Sequence, residues 1–125
     1  MLLEQAVLQY TLKKIVERGF TPMQVPNIVN PECLQGTGYF PGGEEDAYRM
    51  ERDDQRLIGT SEIPVTAYHM NEILNEDDLP KKYCGYSACY RREAGTYGKD
   101  TAGLYRVHQF QKVEQVVVLP ADEKM

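Results

Sequence analysis

Leu8, Leu12 and Ile15 recur at i, i+4 and i+7, with Glu4, Gln5, Lys13, Lys14 and Glu17 at polar positions around them. That spacing places the apolar residues on one stripe of a helix and predicts an amphipathic helix from Leu2 to Arg18. Gly19 follows its last turn as a natural C-cap. The next stretch, FTPMQVPNIV, reads as short and extended, broken by Pro22 and Pro26. Proline gives no ladder hydrogen bond and belongs at a strand end or on an edge strand. Pro31 to Asp54 is rich in glycine and acid and predicts a loop with one short strand near Ala47 to Met50. Gln55 to Thr60 predicts a strand. A helix follows from Glu62 or Ile63 to about Leu74, with Pro64 tolerated in its first turn. The acidic run before Leu79 and Pro80 reads as a solvated turn. Lys82 to Arg91 and Arg106 to Leu119 predict a pair of antiparallel strands. The chain contains no internal repeat and no low-complexity segment.

The last two strands carry the chemistry. Arg106, His108, Phe110, Lys112 and Glu114 occupy alternate positions, and so do Arg91 and Glu93. A strand turns successive side chains to opposite faces, so each set shares a face. A face this rich in charge is not a core face, because buried charges need partners. Between the strands lies a loop holding Gly95, Gly98 and Gly103. The pattern predicts a concave polar site floored by a hairpin and suited to an anionic, partly aromatic ligand.

Composition narrows the picture without deciding it. The chain has 125 residues, 42% hydrophobic and 26% charged, which suits one small domain or part of a larger one. The net charge of −5 argues against a surface devoted wholly to nucleic acid. Arg91, Arg92, Lys99 and Arg106 still make a local basic patch. No apolar run reaches the roughly 20 residues that cross a bilayer, and the N-terminus lacks the basic start of a signal peptide. Cys33, Cys84 and Cys89 are odd in number and without framework spacing, which points to a reducing compartment. Cys84 and Cys89 lie five apart in one predicted strand, on opposite faces, and are expected to be unbridged. A zinc site from these thiols and His69 or His108 has no standard spacing; buried free thiols are the better reading.

The string RREAG…GKDTAGLYRVHQF…KVE resembles motif 2 of class II aminoacyl-tRNA synthetases, in the form found in the seryl enzymes. Thr60-Ser61-Glu62 resembles the serine-binding TxE loop of the same family, and the spacing between Thr60, Arg91, Arg106 and Glu114 agrees. The resemblance implies an α+β fold, part of the class II antiparallel β-sheet flanked by helices. It divides residues 1–125, a partial catalytic domain, into motif 1 at about 1–31, the TxE loop at 60–62 and motif 2 at about 83–119. Motif 1 forms the dimer interface in the family, and Pro26 is the candidate for its proline. Nothing here resembles motif 3 or the N-terminal coiled-coil arm, so the chain reads as a piece of that catalytic domain.

By resemblance, the activity is ATP-dependent activation of L-serine to seryl-adenylate and transfer to the acceptor end of tRNA(Ser), in the cytoplasm. Arg91 is the catalytic residue, bridging the α-phosphate and the serine carboxylate with forked donors that a lysine lacks. Glu93 accepts from the adenine amino group, Phe110 stacks on the adenine, Arg106 reaches the distal phosphates and Val107 offers a backbone contact. Taken alone, Phe110 reads as a core aromatic; the face it shares with Arg106 and Glu114 favours the stacking role. Thr60, Glu62, Arg91 and Glu114 hold serine. A site that hydrogen-bonds a hydroxyl rejects an analogue lacking it. Glu62 also suits a helix N-terminus as a plain carboxylate. Arg92 and Lys99 either meet tRNA phosphates or are simply solvated. His108 reads as a hydrogen-bonding residue behind the site, and His69 as an ordinary helix residue. Magnesium is expected for the whole enzyme, with ligands outside this chain. Two other readings stay open: an enzyme that charges a carrier protein with a small amino acid, and a nucleotide-binding or dimerisation module without catalysis.

Overall fold

The computed structural model describes residues 1–94 and 105–121. The first helix, α1, spans Leu2–Val16, with Glu4 in its first turn and Lys13 and Lys14 in its last, an order that suits the helix dipole. Gly19 ends it as expected: its φ is +84°, and its N–H donates to the Val16 carbonyl at 2.9 Å. Of the apolar residues on α1 only Ile15 is buried, whereas Leu2 is 81% and Tyr10 65% exposed. Strand β1 (Thr21–Gln24) follows, then β2 (Ile28–Val29).

A short helix, α2 (Pro31–Gly36), stands where the glycine-rich composition predicted only loop. Asn30 precedes it with extended backbone and Pro31 opens it, the order in which proline's fixed φ and missing N–H do no harm. The expected short strand is β3 (Arg49–Met50), and β4 is Gln55–Leu57. Helix α3 covers Glu62–Ala67 and stops short of the predicted Leu74. Turn hydrogen bonds from Met70 N–H to Ala67 and from Glu72 N–H to His69 replace the helix, and Asn71 sits at φ +66°. A left-handed residue ends helical propagation. Strands β5 (Lys81–Tyr90) and β6 (Gln109–Val118) form the long hairpin.

Among the described residues the strands form two three-stranded sheets, β1-β5-β6 and β2-β4-β3. Within the first, β5 and β6 are antiparallel, while β1 runs parallel to β5. The long crossover between β1 and β5 allows that parallel pairing, and β1, which carries Pro22, is the edge strand of this sheet. Both prominent strands are shorter at the loop end than alternation predicted. Arg91 and Glu93 follow β5, and Arg106, Val107 and His108 precede β6. Glu93 has φ +57°, so it cannot continue the period-two alternation with Arg91. The shared face survives for Phe110, Lys112 and Glu114.

The core gathers Val25, Val29, Leu34, Ile58, Ile63 and Val65, with Met23, Tyr39, Phe40, Tyr83 and Val116 packed around it. Burying each such Val or Ile contributes about 1.5–3 kcal/mol. One close approach sets the position of α3 over the sheet. A Cβ on Gly85 would come 2.7 Å from the Ser61 Oγ and 2.8 Å from its Cβ. Only glycine at this point of β5 lets the start of α3 settle so low, and Ser61 donates to the Gly85 carbonyl at 3.2 Å. Among the described residues, no helix is long and apolar enough to cross a membrane.

Candidate functional site

The register of the hairpin lays out the floor. Gly85 stands opposite Glu114, Ser87 opposite Lys112 and Cys89 opposite Phe110. Small or thin side chains on β5 therefore stand opposite long ones on β6. Because the start of α3 seats against Gly85, Thr60, two residues before the helix, reaches the neighbouring Glu114. The Thr60 hydroxyl donates to Glu114 Oε2 at 2.7 Å and accepts from Lys112 Nζ at 3.0 Å. Lys112 also forms an ion pair with the same Oε2. Thr60 is wholly buried, while Glu62 is exposed.

Burial works to raise the Glu114 carboxyl, but hydrogen bonds from Lys112 and Thr60 and the charges of Lys112 and Arg91 more than offset it. The group is held below the ordinary carboxylate value and stays ionised. Tyr39, on the loop after α2, faces the same region. Burial pushes its phenol up, and the negative charges of Glu62 and Glu114 push it further against the opposing Arg91.

Arg91 lies one residue beyond β5. Its N–H donates to the His108 carbonyl at 3.0 Å, which extends the hairpin by one rung after the regular ladder ends. Its Nε donates to the Gly59 carbonyl at 3.1 Å, and its guanidinium carbon lies 5.4 Å from the Phe110 ring centre. Its two terminal amino groups have no partner among the described residues. The stem is thus tied down while the fork stays available, which suits an anion with two acceptor oxygens. His108 supports this corner: its Nδ1 lies 3.0 Å from the Arg91 carbonyl, which only accepts, so Nδ1 carries the proton. The ring meets Tyr48 edge-on.

Glu93 and Arg106 pair with each other by a charged hydrogen bond across the mouth of the loop. Val107 is exposed beside them. The Arg92 N–H donates to the Asp46 carbonyl at 2.9 Å, and the Ala94 N–H to the Asp46 carboxylate at 3.2 Å. Lys99 lies outside the described residues. The sites named from sequence therefore form two clusters, Arg91–Phe110 with Glu93–Arg106, and Thr60–Glu114 beside Glu62. Arg91 links them through its charge on Glu114. Sequence reasoning assigned no role to Lys112 or Tyr39. Alternation already put Lys112 on the right face; nothing in the glycine-rich stretch marked Tyr39.

No group of three or more His, Cys, Asp or Glu suited to a metal occurs among the described residues. All three cysteines are free, with Cys84 and Cys89 buried.

Residues 47–125 match the family model of the tRNA synthetase class II core domain (G, H, P, S and T). The chain belongs to this class II synthetase family. It is 52% identical over 122 residues to serine–tRNA ligase 1 of Streptomyces avermitilis, covering 97% of this chain and 29% of that protein. It is likewise 52% identical over 121 residues to the serine–tRNA ligase of Salinibacter ruber, covering 97% of this chain and 28% of that one. Among solved structures it is similar to seryl-tRNA synthetase from Pyrococcus horikoshii complexed with ATP, with TM-score 0.86 and 46% identity over 92% of this chain and 26% of the other. It is also similar to the cytoplasmic serine–tRNA ligase from Naegleria fowleri in complex with AMP, with TM-score 0.88 and 36% identity over 97% of this chain and 28% of the other. The class II chain thus spans under a third of the length of the curated relatives it matches.

Proposed function

We propose that this chain forms the ATP- and serine-facing part of a serine–tRNA ligase catalytic site. The observation that carries the reading is Arg91, whose stem is anchored to Gly59 and whose guanidinium lies beside Phe110, its terminal amino groups without a hydrogen-bond partner among the described residues. The ATP and AMP complexes of the similar structures support a nucleotide there.

In the reaction, a serine carboxylate oxygen attacks the α-phosphorus of ATP. A C–O–P linkage forms and the bond to pyrophosphate breaks. Negative charge gathers on the α-phosphate oxygens, and the Arg91 fork neutralises it while holding the attacking carboxylate in line. The Phe110 face receives the adenine. Glu93 and Arg106 exchange their mutual pairing for the adenine amino group and the distal phosphates, with Val107 at the nucleotide's edge. Ionised Glu114, with Glu62 at the rim and Thr60 behind it, receives the ammonium and hydroxyl of serine. In the second half, a 3′-terminal hydroxyl of tRNA(Ser) attacks the acyl carbon and AMP leaves. Arg92 and Lys99 are the cations placed by sequence toward that acceptor end. The exposed apolar residues of α1, within the motif 1 stretch of about 1–31, support pairing with a second copy.

The test is serine-dependent exchange of labelled pyrophosphate into ATP, with alanine and threonine as controls and Arg91→Ala as the blank. Exchange with serine alone, lost in the variant, supports the reading. ATP binding without exchange assigns the chain a nucleotide-binding role only. Equal exchange with alanine defeats the serine assignment.

A further inference from the structure

We propose that Lys112 is a positioning residue for the amino-acid end of the site: it pins one oxygen of Glu114 and the hydroxyl of Thr60, so that the other Glu114 oxygen is presented to the ammonium of the ligand. This rests on the reading of the site as one for serine.

The argument starts from hydrogen-bond direction. A lysine ammonium has donors only, so the Thr60 Oγ1 at 3.0 Å must accept from it. The single Thr60 proton is then committed to Glu114 Oε2 at 2.7 Å. A second acceptance, from the Glu62 N–H at 3.4 Å, completes the capacity of the hydroxyl. Thr60 is also wholly buried. Its hydroxyl has neither capacity nor access left for a ligand, and its contribution passes through Glu114.

Glu114 is held from one side only. Lys112 and Thr60 both converge on Oε2, and Oε1 has no partner among the described residues. Lys112 and Glu114 stand two apart on β6, on one face, opposite Ser87 and Gly85. The other groups that face this carboxylate are Arg91 from the end of β5 and Tyr39 from the loop after α2. Neither is hydrogen-bonded to it. Arg91 attracts the carboxylate from a distance without setting its rotation. Lys112 sets it, and keeps the group ionised against the cost of burial. A charged acceptor with a fixed, unpartnered oxygen distinguishes a ligand bearing an ammonium from one that lacks it.

The experiment is calorimetric titration of the full chain and of Lys112→Met and Lys112→Arg. Three probes are used: ATP, a seryl-sulfamoyl-adenosine that cannot turn over, and the same compound without its α-amino group. Lys112→Met is expected to weaken the amino-bearing compound by about tenfold or more and to leave ATP and the deaminated compound within about twofold. Lys112→Arg restores most of the loss. Carbon-13 NMR of the Glu114 carboxyl supplies a reading without ligand: its titration moves up in Lys112→Met and back in Lys112→Arg. Equal losses for both adenosine compounds, or unchanged binding of the amino-bearing one, overturns the proposal. So does a Glu114 titration that stays put in Lys112→Met, whatever the ligands do. A wild-type chain that binds ATP but neither adenosine compound defeats the serine reading, and this proposal with it.

Discussion

The guanidinium of Arg91 rests 5.4 Å from the centre of the Phe110 ring, at the point where the hairpin stops being regular. The ring's electron-rich face attracts the cation, and the Nε bond to Gly59 keeps it from swinging away. One pair thus sets both the anion fork and the flat surface beside it.

Phe110→Ala is expected to weaken ATP binding by about 1–3 kcal/mol, the usual loss when a base forfeits an aromatic platform. Phe110→Tyr should keep most of it. Equilibrium titration with ATP measures both, and an alanine variant that binds like wild type would return Phe110 to the role of a packing residue.

Gly85→Ala is expected to cost roughly 1–3 kcal/mol of stability. Its Cβ would meet the Ser61 side chain at 2.7 Å and Val65 Cγ2 at 3.0 Å. Because Thr60 stands immediately before Ser61, the same change should weaken binding of a seryl-adenylate analogue. Urea unfolding checks the first effect. Pairing the change with Ser61→Gly should recover part of it, since the two positions are in direct contact.

The thiols should divide by burial. Cys33 is half-buried, while Cys84 and Cys89 are fully enclosed, and burial pushes the Cys84 thiol up, away from the reactive thiolate. In the folded chain a disulfide reagent is expected to label Cys33 first and to reach the other two only in denaturant. Rapid native labelling of Cys84 would contradict the packing of β5.

Glu114 gives stability a pH dependence with a definite sign. Its folded carboxyl titrates below the ordinary value of 4.5, so the unfolded chain binds that proton more tightly. The stabilisation is complete above the unfolded value and is lost as pH falls through the folded one. Urea unfolding from about pH 6 down to about pH 3 should show a shallower loss in Glu114→Gln than in wild type. Identical slopes would mean that the Lys112 and Thr60 contacts do not persist in solution.

Much of this molecule was readable before folding. The i, i+4, i+7 stripe marked α1, Gly19 marked its end, and alternation marked β5 and β6. These signals are local, set by the geometry of one element. The motif strings singled out Arg91, Phe110, Thr60 and Glu114, which the fold gathers within one region. Alternation misled where pairing ceased. Arg106 and His108 continue the period-two pattern but lie outside β6, because a strand ends where its partner does. Helix α2 was hidden in glycine and acid, although Asn30 followed by Pro31 is a helix-start signal.

The sequence by itself determined most of the element types, the family and the kinds of side chain at the site, because these depend on spacing along the chain. Only the tertiary structure decided which groups touch. Thr60 and Glu114 are 54 residues apart, and Lys112 and Thr60 are 52. Their meeting depends on a glycine in β5 thin enough for α3 to settle over the hairpin. Contact across such a separation is a property of how surfaces fit, and no local pattern encodes it.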